Sequence, residues 1–268
     1  MFEMTTFFGA YLALDTSVFG TRHIIVLCLT LVLMAAALFF MIKYRIPMKK
    51  LNRIMLLMGI ASETVKVVFY VLANEDKSRG NGYLPKTDLP FHLCSIQIIL
   101  LLILNLATNE KVKRVIYSFM LPTCLIGGFA AMLLPTSSAR TAIAITIQYF
   151  IYHGAIVLYA IYLYCSKEIN FEINDYFNAL KCLVATFFVA IYLNSWVNDY
   201  QNDINFMYVV NPPVSGLPFL NRDHGWLVYI VHYALLCVLC VTLVYIKPVI
   251  KGIKDKTGRK NDRSKEVQ

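Results

Sequence analysis

Apolar residues run along this chain in long blocks separated by short polar connections. Seven blocks can be drawn: about Ile24 to Ile42, Leu51 to Ala73, Phe91 to Thr108, Val115 to Leu134, Thr141 to Cys165, Phe177 to Trp196 and Trp226 to Ile246. Several approach the ~20 residues that a helix needs to cross hydrocarbon. One such block could be a buried core helix. A series of them predicts an all-α, polytopic membrane bundle with seven transmembrane helices. The first block is uninterrupted, the second carries Ser62, Glu63, Thr64 and Lys66, and the fourth contains Pro122 and Gly127-Gly128. The first 23 residues hold no basic signal region, and the first block is too long for a signal's apolar core, so it is expected to remain as a span.

Composition agrees with the pattern. Hydrophobic residues make up 58% of the 268 and charged residues 15%, against roughly 25% charged in a soluble domain. The net charge of +9 does not point to nucleic acid, because the basic residues cluster at block ends, where they orient a membrane protein and meet anionic headgroups. With the N-terminus outside, inner connections and the tail hold eighteen Lys and Arg against six in outer connections. The reading is therefore N-terminus outside and C-terminus inside, in a cell membrane. Its weakest link is Ser166 to Tyr176, where acids match bases. Residues 1–250 form one transmembrane domain, and 251–268 a basic cytoplasmic tail expected to lack fixed structure. The connection from Val197 to Gly225 contains Asn211-Pro212-Pro213 and Pro218 and reads as an ordered loop or re-entrant turn.

The seven cysteines lie almost entirely in apolar segments. Cys237-x-x-Cys240 falls mid-span and reads as packing. No metal-ligand spacing and no cofactor motif is present, and membrane phospholipid is the expected partner.

Ionisable groups at mid-bilayer cost ~2.5–3.5 kcal/mol on insertion scales, so each needs a reason. Glu63 and Lys66, three apart, share a helix face and are close enough to pair. They read either as a packing ion pair or as a cavity wall. His153, beside Gly154 and near Gln148 and Tyr152, is deep in the fifth block; it reads as a bundle residue or as a base. His92 and Cys94 open the third block and, on a regular helix, point ~200° apart. The sixth block gives way to a polar run holding Asn194, Asn198, Asn202 and Asn205, followed by His224 and His232. With Glu63, Lys66, Gln148, His92 and Cys94, these polar helix ends predict a cavity opening toward the outer leaflet.

In order along the chain, several motifs resemble those of the YwaF-like family of integral membrane proteins. They are Leu89-Pro90-Phe91-His92-Leu93-Cys94, then Gly127-Gly128 through Leu133-Leu134-Pro135, Tyr152-His153-Gly154, Asn198 with Asn202 to Met207, Asn211-Pro212-Pro213 and Gly225-Trp226. That family is related to the transmembrane protein 164 acyltransferases, which move acyl chains between phospholipids. The resemblance implies Cys94 as nucleophile, His153 as its base and His92 as a positioning residue. Acyl transfer or acyl-ester hydrolysis is the activity it implies. The alternative is a transporter or small-molecule-binding membrane protein lined by Glu63, Lys66, His153 and Asn198. A retinal photoreceptor is excluded, since Trp226 to Ile246 holds no Lys for a Schiff base. One geometric difficulty stands. Counted from the helix starts, Cys94 is about 6 Å deep and His153 about 18 Å.

Overall fold

A computed structural model describes residues 17–72, 84–136, 139, 143–197, 204–213 and 219–254. Asn198, Asn202 and the tail from 255 onward lie outside the described residues. The apolar blocks fold as helices α1 (Thr21–Lys43), α2 (Met48–Leu72), α3 (Leu93–Leu106), α4 (Glu110–Leu133), α5 (Ile143–Cys165), α6 (Ile173–Val197) and α7 (Trp226–Val244). No strand occurs among the described residues. Six of these helices are long and apolar enough to cross a membrane, and the chain is a multipass membrane protein. The third is 14 residues long, about 21 Å at 1.5 Å per residue, which is short of a full crossing by length alone.

Local chemistry sets several ends. Asn109 caps α4 by accepting the Lys111 N–H at 2.9 Å, and Glu110 suits the positive end of the helix dipole. Inside α4, Pro122 brings no N–H, and the next five residues, Thr123–Gly127, relax into a π-turn. His92, in extended conformation after Pro90, stands at the start of α3.

Helix directions follow from side-chain pairings. Glu63 meets Ser95, and Gly59 backs onto Ile98, so α2 and α3 are antiparallel. Gly128 lies so close to Val157 and Ile156 that an added Cβ would stand 2.8 and 2.9 Å from them, which brings α4 tightly against α5. Arg22 bonds Thr146 at 3.0 Å, and Gly154 faces Thr30, so α1 runs parallel to α5. We call the end where α1, α3, α5 and α7 begin the upper end. The most apolar windows of α4 and α5 are 61% and 67% buried while that of α1 is 0% buried, so α4 and α5 are the centre and α1 faces lipid.

Two polar clusters hold the lower half. The Tyr159 hydroxyl donates to Asn52 Oδ1 (2.8 Å), and Asn52 Nδ2 donates to the Tyr117 hydroxyl (2.7 Å), joining α5, α2 and α4 inside the core. Asp175, with 0% of its surface exposed, accepts Arg114 Nε at 2.8 Å, Arg114 Nη2 at 2.9 Å and the Glu172 N–H at 2.7 Å. The Ser118 hydroxyl stands 3.0 Å away. Glu168, from the same connection, accepts the Met48 N–H at 3.2 Å. Acids that blur the charge count between residues 166 and 176 therefore have structural partners.

Candidate functional site

The segment before α3 enters the bundle from its upper end without being helical. A 3-10 turn at Lys86–Asp88 leads through Pro90 to His92. Non-helical backbone at such depth needs protein around it, and here the ring of Phe206 packs edge-on against Phe91 and His92 at 5.3 and 5.4 Å. The Nε2 of His92 is 3.2 Å from the Thr87 carbonyl. A carbonyl only accepts, so Nε2 carries the proton and Nδ1 is bare. Because its backbone is extended, the ~200° separation of His92 and Cys94 expected for a regular helix does not hold. His92 precedes the helix.

Cys94 sits in the first turn of α3 and is half-buried. Its carbonyl accepts the Tyr152 hydroxyl at 2.8 Å. This contact resolves the depth difficulty in an unexpected direction. The fifth helix starts at Ile143, close to where hydropathy puts it, but the third starts deep, level with Tyr152 and Glu63. Cys94 is therefore reached by the side chain of Tyr152, the residue before His153 on α5.

His153 is 5% exposed. Its Nδ1 lies 2.7 Å from the Tyr149 carbonyl, one turn earlier, and the Tyr149 ring centroid is 4.0 Å from its own. The carbonyl again fixes the tautomer, with the proton on Nδ1 and the lone pair on Nε2. Among the described residues no hydrogen bond joins Cys94 to His153, and none engages Nε2.

Beside Cys94, the Ser95 hydroxyl donates to Glu63 Oε1 at 2.8 Å, and Glu63 Oε2 is 2.6 Å from Lys66 Nζ. One turn lower on α3, Gln97 is fully buried; its Nε2 reaches the Leu93 carbonyl and the hydroxyl of Thr123 on the π-turn, while its Oε1 has no hydrogen-bond partner among the described residues. Gln148 donates to Ser62 across α5 and α2. Contacts thus bring together Cys94, Ser95, Glu63, Lys66 and Tyr152, on α2, α3 and α5, while His153 follows Tyr152 along α5 and packs on Tyr149.

The polar residues at the end of α6 and in the following loop serve a different purpose. Asn194 grips one residue of the following loop from both sides: its Oδ1 accepts the Phe206 N–H at 2.8 Å, and its Nδ2 donates to the Phe206 carbonyl at 3.0 Å. Asn205 Oδ1 accepts the N–H groups of Val210 and Asn211, and its Nδ2 donates to the Asn211 carbonyl. Trp226 Nε1 donates to the Val209 carbonyl, and the Tyr229 hydroxyl to that of Tyr208. These bonds hold Met207 and Tyr208 at φ 54° and 55°, strain worth about 1–3 kcal/mol each. Asn205 is therefore a loop clamp. His232 is exposed and hydrogen-bonds the Phe219 carbonyl at 3.0 Å; among the described residues no hydrogen bond links it to Cys94, His153 or Glu63–Lys66.

A small recess near the upper ends of α1 and α5 is lined by Arg22, His23, Val26, Thr146 and Phe150. It is two turns above His153 and apart from the Cys94 cluster. His23, which hydropathy did not single out, donates from Nε2 to the Met132 carbonyl at 2.8 Å and accepts the Phe19 N–H at 2.9 Å. Both ring nitrogens are used, so His23 is a tie between α1 and α4. Ser95 is equally hidden in the sequence, an ordinary residue in apolar surroundings whose role depends on the Glu63 that faces it.

Residues 18–245 match the model of the TMEM164 family. No curated protein and no solved structure matches the chain.

Proposed function

The chain belongs to the TMEM164 family, and from that premise and the surroundings of Cys94 we propose that it is a membrane enzyme of lipid metabolism. It transfers or hydrolyses acyl esters, with Cys94 as nucleophile and His153 as base. The observation that carries this reading is the bond from the Tyr152 hydroxyl to the Cys94 carbonyl. It joins the first turn of α3 to α5 at the residue before a buried imidazole whose Nε2 lone pair is unengaged.

In the reaction, Cys94 gives its thiol proton to His153 Nε2, and the thiolate attacks an ester carbonyl. The tetrahedral intermediate collapses, the ester C–O bond breaks, and the leaving alkoxide takes the proton from the imidazolium. The resulting thioester is attacked by an acceptor hydroxyl, or by water, whose proton passes to Nε2 and then to the departing thiolate. One difficult displacement becomes two easier ones. Catalytic hydrogen bonds are often long before substrate closes a site, which fits a Cys94–His153 pair not yet joined.

The topology proposed with it has seven passes, N-terminus outside. The alternation of helix directions supports it, with α3 as a pass completed above by residues 84–92. The excess of Lys and Arg on inner connections gives the hand. The site then opens to the outer half of the bilayer.

The test uses purified full-length protein in vesicles with an acyl-labelled phospholipid and an unlabelled lysophospholipid. Wild type is expected to transfer or release label, and Cys94→Ala to sit at background with unaltered thermal stability. Full activity in Cys94→Ala defeats the reading.

A further inference from the structure

We propose that Glu63 and Lys66 form a headgroup site for a zwitterionic phospholipid, Lys66 taking the phosphate and Glu63 the cationic end. This inference rests on the acyl-transfer reading and names its substrate class.

The ion pair lies on α2 at the level of Cys94, where unpaired charge is costly. A pair serving packing alone is best sealed and saturated, since leftover donors and acceptors in low dielectric are penalised. This one is neither. The side chains of Lys66 and Glu63 remain 16% and 24% exposed. The ammonium has three donors, and among the described residues its one partner is Glu63 Oε2, at 2.6 Å. Glu63 is oriented from its other oxygen by the hydroxyl of Ser95, the neighbour of Cys94.

That tether gives the geometry its meaning. In a glycerophospholipid the phosphate and the nearest ester carbonyl are joined through the short glycerol backbone. A headgroup site must therefore lie close to the nucleophile, and Glu63 is bonded to the residue that follows Cys94. The net charge of the pair is zero, and it presents a cation beside an anion. A zwitterion can engage both ends at once, whereas an anionic lipid satisfies Lys66 and is repelled by Glu63.

The experiment compares phosphatidylcholine with a headgroup-free substrate, a p-nitrophenyl acyl ester, in wild type, Lys66→Met, Lys66→Arg and Glu63→Gln. Loss of a charge-assisted contact predicts a KM for phosphatidylcholine raised about tenfold or more in Lys66→Met. The loss on phosphatidylcholine is expected to exceed that on the p-nitrophenyl ester by the same margin. Lys66→Arg should recover most of it. Glu63→Gln should shift preference from phosphatidylcholine toward phosphatidic acid. Equal losses on both esters would assign Lys66 to the chemistry or the fold and overturn the proposal, as would no loss on either.

A binding arm separates this from the acyl-transfer reading. Purified Cys94→Ala protein should retain phosphatidylcholine over diacylglycerol, measured by native mass spectrometry, and the added Lys66→Met change should abolish that preference. Headgroup preference without any turnover in wild type would sink the enzyme reading alone. Turnover without headgroup preference would sink this inference alone.

Discussion

Replacing His153 with asparagine is expected to lower acyl transfer by about a hundredfold to ten-thousandfold, the usual worth of a positioned general base. Asparagine is the informative choice. Its Nδ2 can occupy the place of the imidazole Nδ1 and keep the bond to the Tyr149 carbonyl, 2.7 Å long in the native protein. The packing against Tyr149 is reduced, but the buried carbonyl is not orphaned, so most of the fold's energy is kept. What disappears is the lone pair at Nε2. If His153 served only to tie α5 to itself, His153→Asn would remain active, and the base would have to be sought elsewhere. Initial rates of label transfer in vesicles, alongside a thermal melt in detergent, separate the two cases.

Replacing Arg114 with methionine is expected to cost about 3–5 kcal/mol, the range for stripping the partner from a buried charge. Asp175 is fully buried and takes both of its short cationic contacts from Arg114. The Glu172 N–H and the Ser118 hydroxyl would remain, but neither carries a charge. Arg114 itself is 43% exposed, so headgroups and water reach its outer side and the loss should fall near the lower end. The cluster joins α4 to the start of α6, far from Cys94, so the damage is to stability and not to the chemical step. Adding Asp175→Asn should restore part of the loss, because no buried charge is then stranded. Denaturant titration of the single and double variants measures both. A single-variant cost under about 1 kcal/mol, the ordinary value for a surface pair, would contradict the account.

Much of the bundle was legible in the sequence because hydrocarbon demands long apolar runs. The seventh block, Trp226 to Ile246, and the fifth, Thr141 to Cys165, lie within two residues of α7 and α5 at either end. The discrepancies have particular causes. Reading the sixth block from Phe177 left out Ile173–Tyr176, since Asp175 looks like a helix boundary when Arg114 is not in view. Reading the fourth from Val115 left out the first turn of α4, where Glu110, Lys111, Lys113 and Arg114 mask a helix that Asn109 caps.

The third helix is the instructive case. Phe91 is apolar enough to extend a hydropathy block upward, yet residues 90 and 91 form a turn, His92 is extended, and Phe206 packs on Phe91 and His92. Hydropathy measures affinity for an apolar setting and cannot tell lipid from protein. Hydropathy therefore starts the third helix two residues early, at Phe91 instead of Leu93. The asparagines at the end of α6 and in the loop beyond it resemble cavity lining for the same reason. Asn194 and Asn205 instead satisfy loop backbone, a use that depends on residues 12 and 6 positions further on. Cys94, His153, Glu63 and Lys66 stood out because each is chemically costly or reactive where it lies. Ser95, which bonds Glu63 beside Cys94, did not.

The most direct measurement is the mass of the peptide containing Cys94 after brief incubation of the full-length protein with phospholipid and rapid acid quench. The account predicts an acyl adduct on the Cys94 sulfur, removed by hydroxylamine as a thioester is, and strongly diminished in His153→Asn. Turnover of labelled phospholipid with no adduct on Cys94, or an adduct undiminished in His153→Asn, would contradict it.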